Sequence, residues 1–162
     1  MIIKKSKYLI CDVDGVMTTG QYLYSSFGKT HKIFGPHDHD GIKILKDLIK
    51  IVFVTADKNG FSISKRRIQK DMGQKIILIK EKDRYSYLAK NFGLKNIIYI
   101  GDGLYDAEIL KDCLFGICPK NARKEAKRYA NYITPSKSGE GAVLDACLKI
   151  KNKFFNKIKI KK

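Results

Sequence analysis

An α/β fold, one parallel sheet with helices on both faces, follows from two features of this 162-residue sequence. Apolar runs of strand length recur along the chain, and segments with helical spacing separate them. The runs are apolar throughout rather than alternating, which marks strands buried on both faces. In order, the expected strands are Tyr8–Cys11, Ile51–Val54, Ile76–Ile79, Ile97–Ile100 and Phe115–Cys118, with a weaker one at Tyr132-Ile133. Helical spacing predicts helices over Gly41–Ile49, Ser62–Met72, Asp83–Phe92, Leu104–Asp112, Ala122–Ala130 and Gly139–Ile150. One segment breaks the alternation. Gln21-Tyr-Leu-Tyr24 and Lys29-Thr-His-Lys-Ile-Phe34 flank Ser25-Ser26-Phe27-Gly28, so residues 21–34 read as a β-hairpin projecting after the first strand. The whole is a Rossmann-like sheet with one added hairpin.

The length suits a single domain, residues 1–150, followed by a basic tail at 151–162. No stretch approaches the roughly 18 consecutive apolar residues of a membrane span. The charged start leads straight into a strand with no separate apolar signal segment. A cytoplasmic protein without a membrane partner is expected. Cys11, Cys113, Cys118 and Cys147 form no Cys-x-x-Cys pair, so they read as reduced core thiols rather than a zinc site. The net charge of +17, from 33 Lys+Arg against 16 Asp+Glu, raises the question of a nucleic-acid partner. The lysines are spread over the chain, however, and only Lys149–Lys162 is dense, with Phe154, Phe155, Ile158 and Ile160 interleaved. That end reads as a solvated or subunit-docking amphipathic segment, with polyanion binding as the alternative. A groove for single-stranded nucleic acid needs stacking aromatics, for which only Phe154 and Phe155 offer themselves, so nucleic acid is not the expected partner. A positive field would still speed the encounter with a small phosphorylated substrate.

Chemistry concentrates at strand ends. Asp12-Val13-Asp14-Gly15-Val16 follows the first strand, at the carboxyl edge where open α/β sheets bind ligands. Carboxylates two apart on an extended backbone share a side, and like charges so close call for a cation. A hard metal such as Mg²⁺ fits, held by carboxylate oxygen and substrate phosphate. One carboxylate is then free to attack phosphorus and the other to move protons. Thr55 follows the second run, Lys80 or Lys82 the third, and Gly101-Asp102-Gly103-Leu-Tyr-Asp106 the fourth. Singly these are a helix cap, a solvated lysine and a turn. Their order on one sheet edge would assemble a nucleophile, a proton carrier, a hydroxyl donor, a phosphate cation and a metal carboxylate.

In order and spacing these four motifs resemble those of the haloacid dehalogenase superfamily of aspartyl-phosphate hydrolases, over nearly the whole chain. The resemblance is closer to the capless branch acting on 3-deoxy-D-manno-octulosonate 8-phosphate and nine-carbon sialic-acid-type phosphates. Phe34-Gly-Pro-His-Asp-His-Asp-Gly-Ile42, Tyr99-Ile-Gly-Asp-Gly-Leu-Tyr-Asp106 and Gly139-Glu-Gly-Ala-Val143 carry it. The resemblance implies that Asp12 is the nucleophile and a Mg²⁺ ligand, and that Asp14 is the general acid and base, its carbonyl also reaching the metal. It implies that Thr55 binds phosphoryl oxygens, that Lys82 neutralises them with Lys80 as the alternative, that Asp102 completes the metal site and that Asp106 supports it. Substrate binding falls to Thr55, Ala56, Lys82, His37, Asp38 and Gly41. Three departures stand out: Gly103 where the family often has Asp, Ala56-Asp57 where the branch commonly has Gly-Arg, and His37 where Arg is common. Between Asp14 and Thr55, and between Thr55 and Lys82, there is no room for a cap domain, which needs about 50 residues of its own. An uncapped crevice takes a macromolecule or borrows a roof, and the branch's tetramers place Gln21–Phe34 at a subunit interface. The expected partners are thus a small phosphorylated sugar acid and other copies of the chain, as a homotetramer through the hairpin. A nucleic-acid terminal phosphatase and a non-catalytic module of the same fold are the competing readings.

Overall fold

The structure, a computed structural model, describes residues 8–155. The chain runs β1 (Tyr8–Asp12), β2 (Thr18–Ser25), β3 (Gly28–Phe34), α1 (His37–Leu45), β4 (Lys50–Thr55) and α2 (Phe61–Lys65), which continues in wider π-helical turns over Arg66–Asp71. It goes on through β5 (Lys75–Leu78), α3 (Glu81–Phe92), β6 (Ile97–Ile100), α4 (Asp106–Asp112), β7 (Phe115–Cys118), α5 (Lys124–Tyr129), β8 (Tyr132–Ile133) and α6 (Ala142–Ile150). Six strands form one parallel sheet in the order β5-β4-β1-β6-β7-β8, and β2 pairs with β3 in a separate antiparallel hairpin. The chain steps outward from β1 through β4 to β5 and then crosses back to β6 on the other side of β1. This reversal opens a crevice at the carboxyl ends of the central strands.

Side-chain alternation divides the strands between two cores. Leu9, Cys11, Phe53, Ile98 and Ile100 pack with Ile42, Leu45, Val143 and Ala146 on one face. Ile10, Val52, Val54 and Tyr99 pack with Leu88, Ile109, Leu110 and Ala126 on the other. All four cysteines are free and buried. Among the described residues, no helix is long and apolar enough to cross a membrane.

Helix α1 starts at His37, four residues before the expected start at Gly41. Pro36 precedes it, where a missing N–H costs nothing, and Asp38 and Asp40 complement the dipole of its first turn. The consequence is that the His37–Gly41 motif is helix rather than loop. Asp38 is fully buried, and its Oδ1 accepts the N–H of Val143 at 2.9 Å and of Leu144 at 3.4 Å, capping α6 from outside. Gly41 lies where α1 crosses α6, and a Cβ there would stand 2.7 Å from the Cα of Leu144.

The tail, too, differs from its expected form. Lys151–Phe155 prolongs α6 in wider turns, Phe155 is buried in the core, and Phe154 meets Phe115 edge-on at 5.7 Å between ring centroids. These aromatics are core packing and not a stacking platform. The remainder of the tail, with Ile158 and Ile160, and the start at 1–7 lie outside the described residues.

Candidate active site

The β1 strand delivers Asp12 to the sheet edge, and the chain then turns back on itself. The Val13 carbonyl accepts the N–H of Met17 at 2.9 Å and of Thr18 at 3.0 Å, while the Thr18 hydroxyl accepts the N–H of Gly15 and of Gly20, each at 3.2 Å. Gly15 has φ +83°, and any Cβ on it would run into the Asp102 carboxylate. Only glycine meets both demands.

Asp12, Asp102 and Asp106 each offer a carboxylate oxygen within 4.8 Å of the others. The oxygens of Asp106 are taken up by the protein. Oδ1 accepts the Tyr99 hydroxyl at 2.5 Å and Arg84 at 2.9 Å, and Oδ2 accepts the N–H of Asp102 at 3.0 Å and of Gly103 at 2.9 Å. Asp106 therefore stiffens the loop, and the oxygens of Asp12 and Asp102 are the ones left to face a cation. Gly103 brings only its backbone N–H to this loop. Burial pushes the Asp12 carboxyl well above the usual range, with Arg84 opposing and Asp106 and Asp102 adding to the rise. Burial, then the Asp106 charge, pushes Asp102 up to about 7. Carboxylates raised this way by burial and mutual repulsion are a donor set short of positive charge, and oxygen-only donors select a hard ion. Mg²⁺ is the cofactor that this donor set fits.

Arg84 is the cation that faces the candidate nucleophile, a residue the expected site did not include. It is 3% exposed, and its guanidinium lies 3.2 Å from Asp12, 2.9 Å from Asp106 and 3.2 Å from the Tyr99 hydroxyl. Lys82, the expected phosphate cation, is exposed and does not line the crevice. The reason is helical geometry. Residues two apart on α3 point to nearly opposite sides, whereas Arg84 shares the buried face with Leu88 one turn on. Lys80, just ahead of α3, does reach the rim of the crevice. A charged residue in register with Leu88 was the sequence signal for Arg84.

Asp14 occupies a second environment. Its carboxylate accepts the Thr55 hydroxyl at 3.0 Å and is paired with Lys32 at 2.8 and 2.9 Å. Lys32 reaches in from β3, its side chain fully buried, and also contacts Asp57 and the Ser64 hydroxyl, both at 2.8 Å. Asp57 pairs in turn with Lys29 at 2.5 Å, and the Lys29 ammonium sits 3.5 Å from the Tyr22 ring centroid. Burial would raise the Asp57 carboxyl, but Lys29, Lys32 and the Gly60 N–H outweigh it and hold it down at about 2. The charge that Asp57 adds where an arginine is common is thus balanced from the hairpin. Sequence reasoning missed Lys29 and Lys32, because nothing in a polar hairpin marks an inward-facing lysine.

Asp12, Asp14, Thr55, Ala56, Arg84 and Asp102 all line one crevice of about 500 Å³, with Tyr22, Lys29 and Tyr105 at its walls. His37, Asp38 and Gly41, expected to bind substrate, do not line it: His37 is exposed, and the other two belong to the α1–α6 contact. Two environments for two carboxylates separate a candidate nucleophile, faced by Arg84, from a candidate proton carrier, faced by a hydroxyl and an ammonium.

The family model of haloacid dehalogenase-like hydrolases matches residues 82–146. The 3-deoxy-D-manno-octulosonate 8-phosphate phosphatase of Haemophilus influenzae is 31% identical over 145 residues, spanning 86% of this chain and 79% of that one. The chain belongs to the haloacid dehalogenase-like hydrolases and is an enzyme, a phosphoric monoester hydrolase. Within the family its likeness is to one branch. The phosphatase of the same name from Yersinia pestis is 28% identical over 87% of this chain and 77% of its own. Among solved structures, the Moraxella catarrhalis enzyme in complex with magnesium, phosphate and the sugar acid superposes with a TM-score of 0.79 at 30% identity, covering 92% of this chain and 87% of that one. The cobalt-bound H. influenzae structure gives a TM-score of 0.79 at 27% identity, covering 92% and 89%.

Proposed function

We propose that this enzyme hydrolyses the phosphate monoester of an eight- or nine-carbon keto-sugar acid, 3-deoxy-D-manno-octulosonate 8-phosphate or a sialic-acid-type 9-phosphate, through an aspartyl-phosphate on Asp12. One observation carries the reading: Asp12 and Asp14 open into the same crevice from different environments. An Asp12 oxygen attacks phosphorus, the bond to the sugar oxygen breaks, and Asp14 gives that oxygen its proton. Asp14 then takes a proton from water, whose oxygen attacks the same phosphorus and frees Asp12 and inorganic phosphate. The Thr55 hydroxyl donates to a phosphoryl oxygen, and Arg84, in the role expected of Lys82, balances the charge. Asp12, Asp102 and the Asp14 carbonyl would hold Mg²⁺, which when bound offsets phosphoryl charge and fixes the line of attack. The relatives' shared substrate name and the sugar acid in the solved neighbour support the substrate class.

The hairpin supports a homotetramer. Leu23, Tyr24, Phe27 and Ile33 stand exposed on it, Phe27 at 99%, and a second copy of the chain would cover them. Four reduced buried thiols fit the cytoplasm.

The test is a panel of phosphorylated sugar acids and 5′-phosphorylated oligonucleotides assayed with Mg²⁺ and with chelator, for wild type and Asp12→Asn. Selective, Mg²⁺-dependent release of phosphate from the sugar acids, lost in Asp12→Asn, is expected. Preference for oligonucleotides would overturn the substrate class, and retained activity in Asp12→Asn the covalent route.

A further inference from the structure

We infer that Lys32 is a positioning residue for the reaction: its buried ammonium, delivered by the hairpin, holds the Asp14 carboxylate in the orientation from which it passes its proton. The inference rests on Asp14 as proton carrier and concerns what keeps it there. Lys32 contacts both Asp14 oxygens, at 2.8 and 2.9 Å, while Asp57 and Ser64 fix the same ammonium from other directions at 2.8 Å each. An ammonium has three N–H donors with free rotation about its stem; here it donates to Asp14 Oδ2 and to the Ser64 hydroxyl and pairs with Asp57, so three other parts of the chain define its place. Asp14 sits on the turn after β1, Asp57 follows β4, and Ser64 lies on α2. Lys32 is therefore anchored independently of Asp14, so it stays put as the carboxylate gains and loses a proton.

Lys32 is not among the crevice walls, whereas Lys29 from the same strand is. The Lys32 ammonium instead touches two residues that do line the crevice, Asp14 and Asp57, and of these Asp14 is the proton carrier. Thr55 supplies the other contact, 3.0 Å from an Asp14 oxygen, but its hydroxyl is also wanted for phosphate and for the N–H of Asp57 at 3.1 Å. Once Thr55 turns to the substrate, Lys32 is the side-chain contact that remains among the described residues. Misplacement of a reacting group by about 1 Å costs on the order of 100-fold in rate. The hairpin thus contributes to the proton-transfer step of its own chain.

The test separates the two chemical demands with Lys32→Met and two esters. 4-Nitrophenyl phosphate loses its aryl oxide without needing a proton, whereas 3-deoxy-D-manno-octulosonate 8-phosphate must have its alkoxide protonated. Expected for Lys32→Met is a fall of about 100-fold in kcat on the sugar phosphate with KM within about threefold. The first-turnover burst of 4-nitrophenolate should stay within about threefold of wild type. Lys32→Gln, which keeps a donor for Asp14, should lose about tenfold with the same split, and carries the test where the Met variant does not fold. A first-turnover burst of 4-nitrophenolate slowed as much as turnover of the sugar phosphate, or a raised KM on both esters, would overturn the positioning role in favour of a structural or phosphate-binding one. Asp14→Asn run alongside tests the underlying assignment. Sugar-phosphate turnover surviving in that variant would remove Asp14 as proton carrier, a failure distinct from that of Lys32.

Discussion

Replacing Arg84 with Met should destabilise the enzyme most when no metal ion is present. The guanidinium is 3% exposed and lies within 3.2 Å of Asp12 and 2.9 Å of Asp106. Its removal leaves those buried carboxylates without their cation, a loss on the order of 3–5 kcal/mol for a broken buried pair. At roughly 2–4 °C per kcal/mol for a domain of this size, Tm in excess chelator should fall by about 6–20 °C. A second cation acts on the same carboxylates, so saturating Mg²⁺ should raise Tm more in Arg84→Met than in wild type. Differential scanning calorimetry of both proteins, with and without Mg²⁺, reads all four values. Arg84→Lys should recover part of the loss, since one ammonium cannot reproduce a fork that reaches Asp12, Tyr99 and Asp106 together. In turnover, Arg84→Met should lose on the order of 100-fold or more, as a charge facing the phosphoryl group is lost, while Lys82→Ala should match wild type because Lys82 is exposed. The reasoning is refuted if Arg84→Met melts within about 2 °C of wild type in chelator, or if Lys82→Ala is the variant that loses turnover.

Asp38→Ala should lower stability by about 1–2 kcal/mol, the worth of a lost helix cap, and leave KM unchanged; a raised KM at full stability in steady-state assays would restore Asp38 as a substrate contact. The Asp57 carboxyl is depressed to about 2, so it contributes stability above its unfolded value near 4 and loses that contribution as pH falls from about 4 to about 2. Denaturant melts of Asp57→Asn should accordingly lose part of the acid sensitivity that wild type shows in that window, and parallel curves for the two proteins would contradict the depressed value. Gly15→Ala should weaken Mg²⁺ binding measured by calorimetry, because its Cβ would displace the Asp102 carboxylate at a backbone φ of +83°; unchanged affinity would place the metal elsewhere.

The sequence by itself determined the layered fold, because continuous apolar runs such as Ile97–Ile100 can be strands only where both faces are covered. It also determined the sheet-edge placement of Asp12, Asp14, Thr55 and Asp102, since residues that directly follow a buried strand in a parallel sheet have nowhere else to emerge. Helix phase was legible only in part. Lys82 and Arg84 are both plausible cations on paper, and which one turns inward depends on where α3 begins and what Leu88 packs against. Tertiary structure alone decided the rest. Asp38 and Gly41 are far in sequence from Val143 and Leu144, so their work in joining α1 to α6 leaves no local trace. The same holds for Lys32, since an inward lysine and a solvated one have the same sequence signature in a polar hairpin. The difference arises only when Asp14, Asp57 and Ser64 converge on its ammonium and offset the cost of burying it.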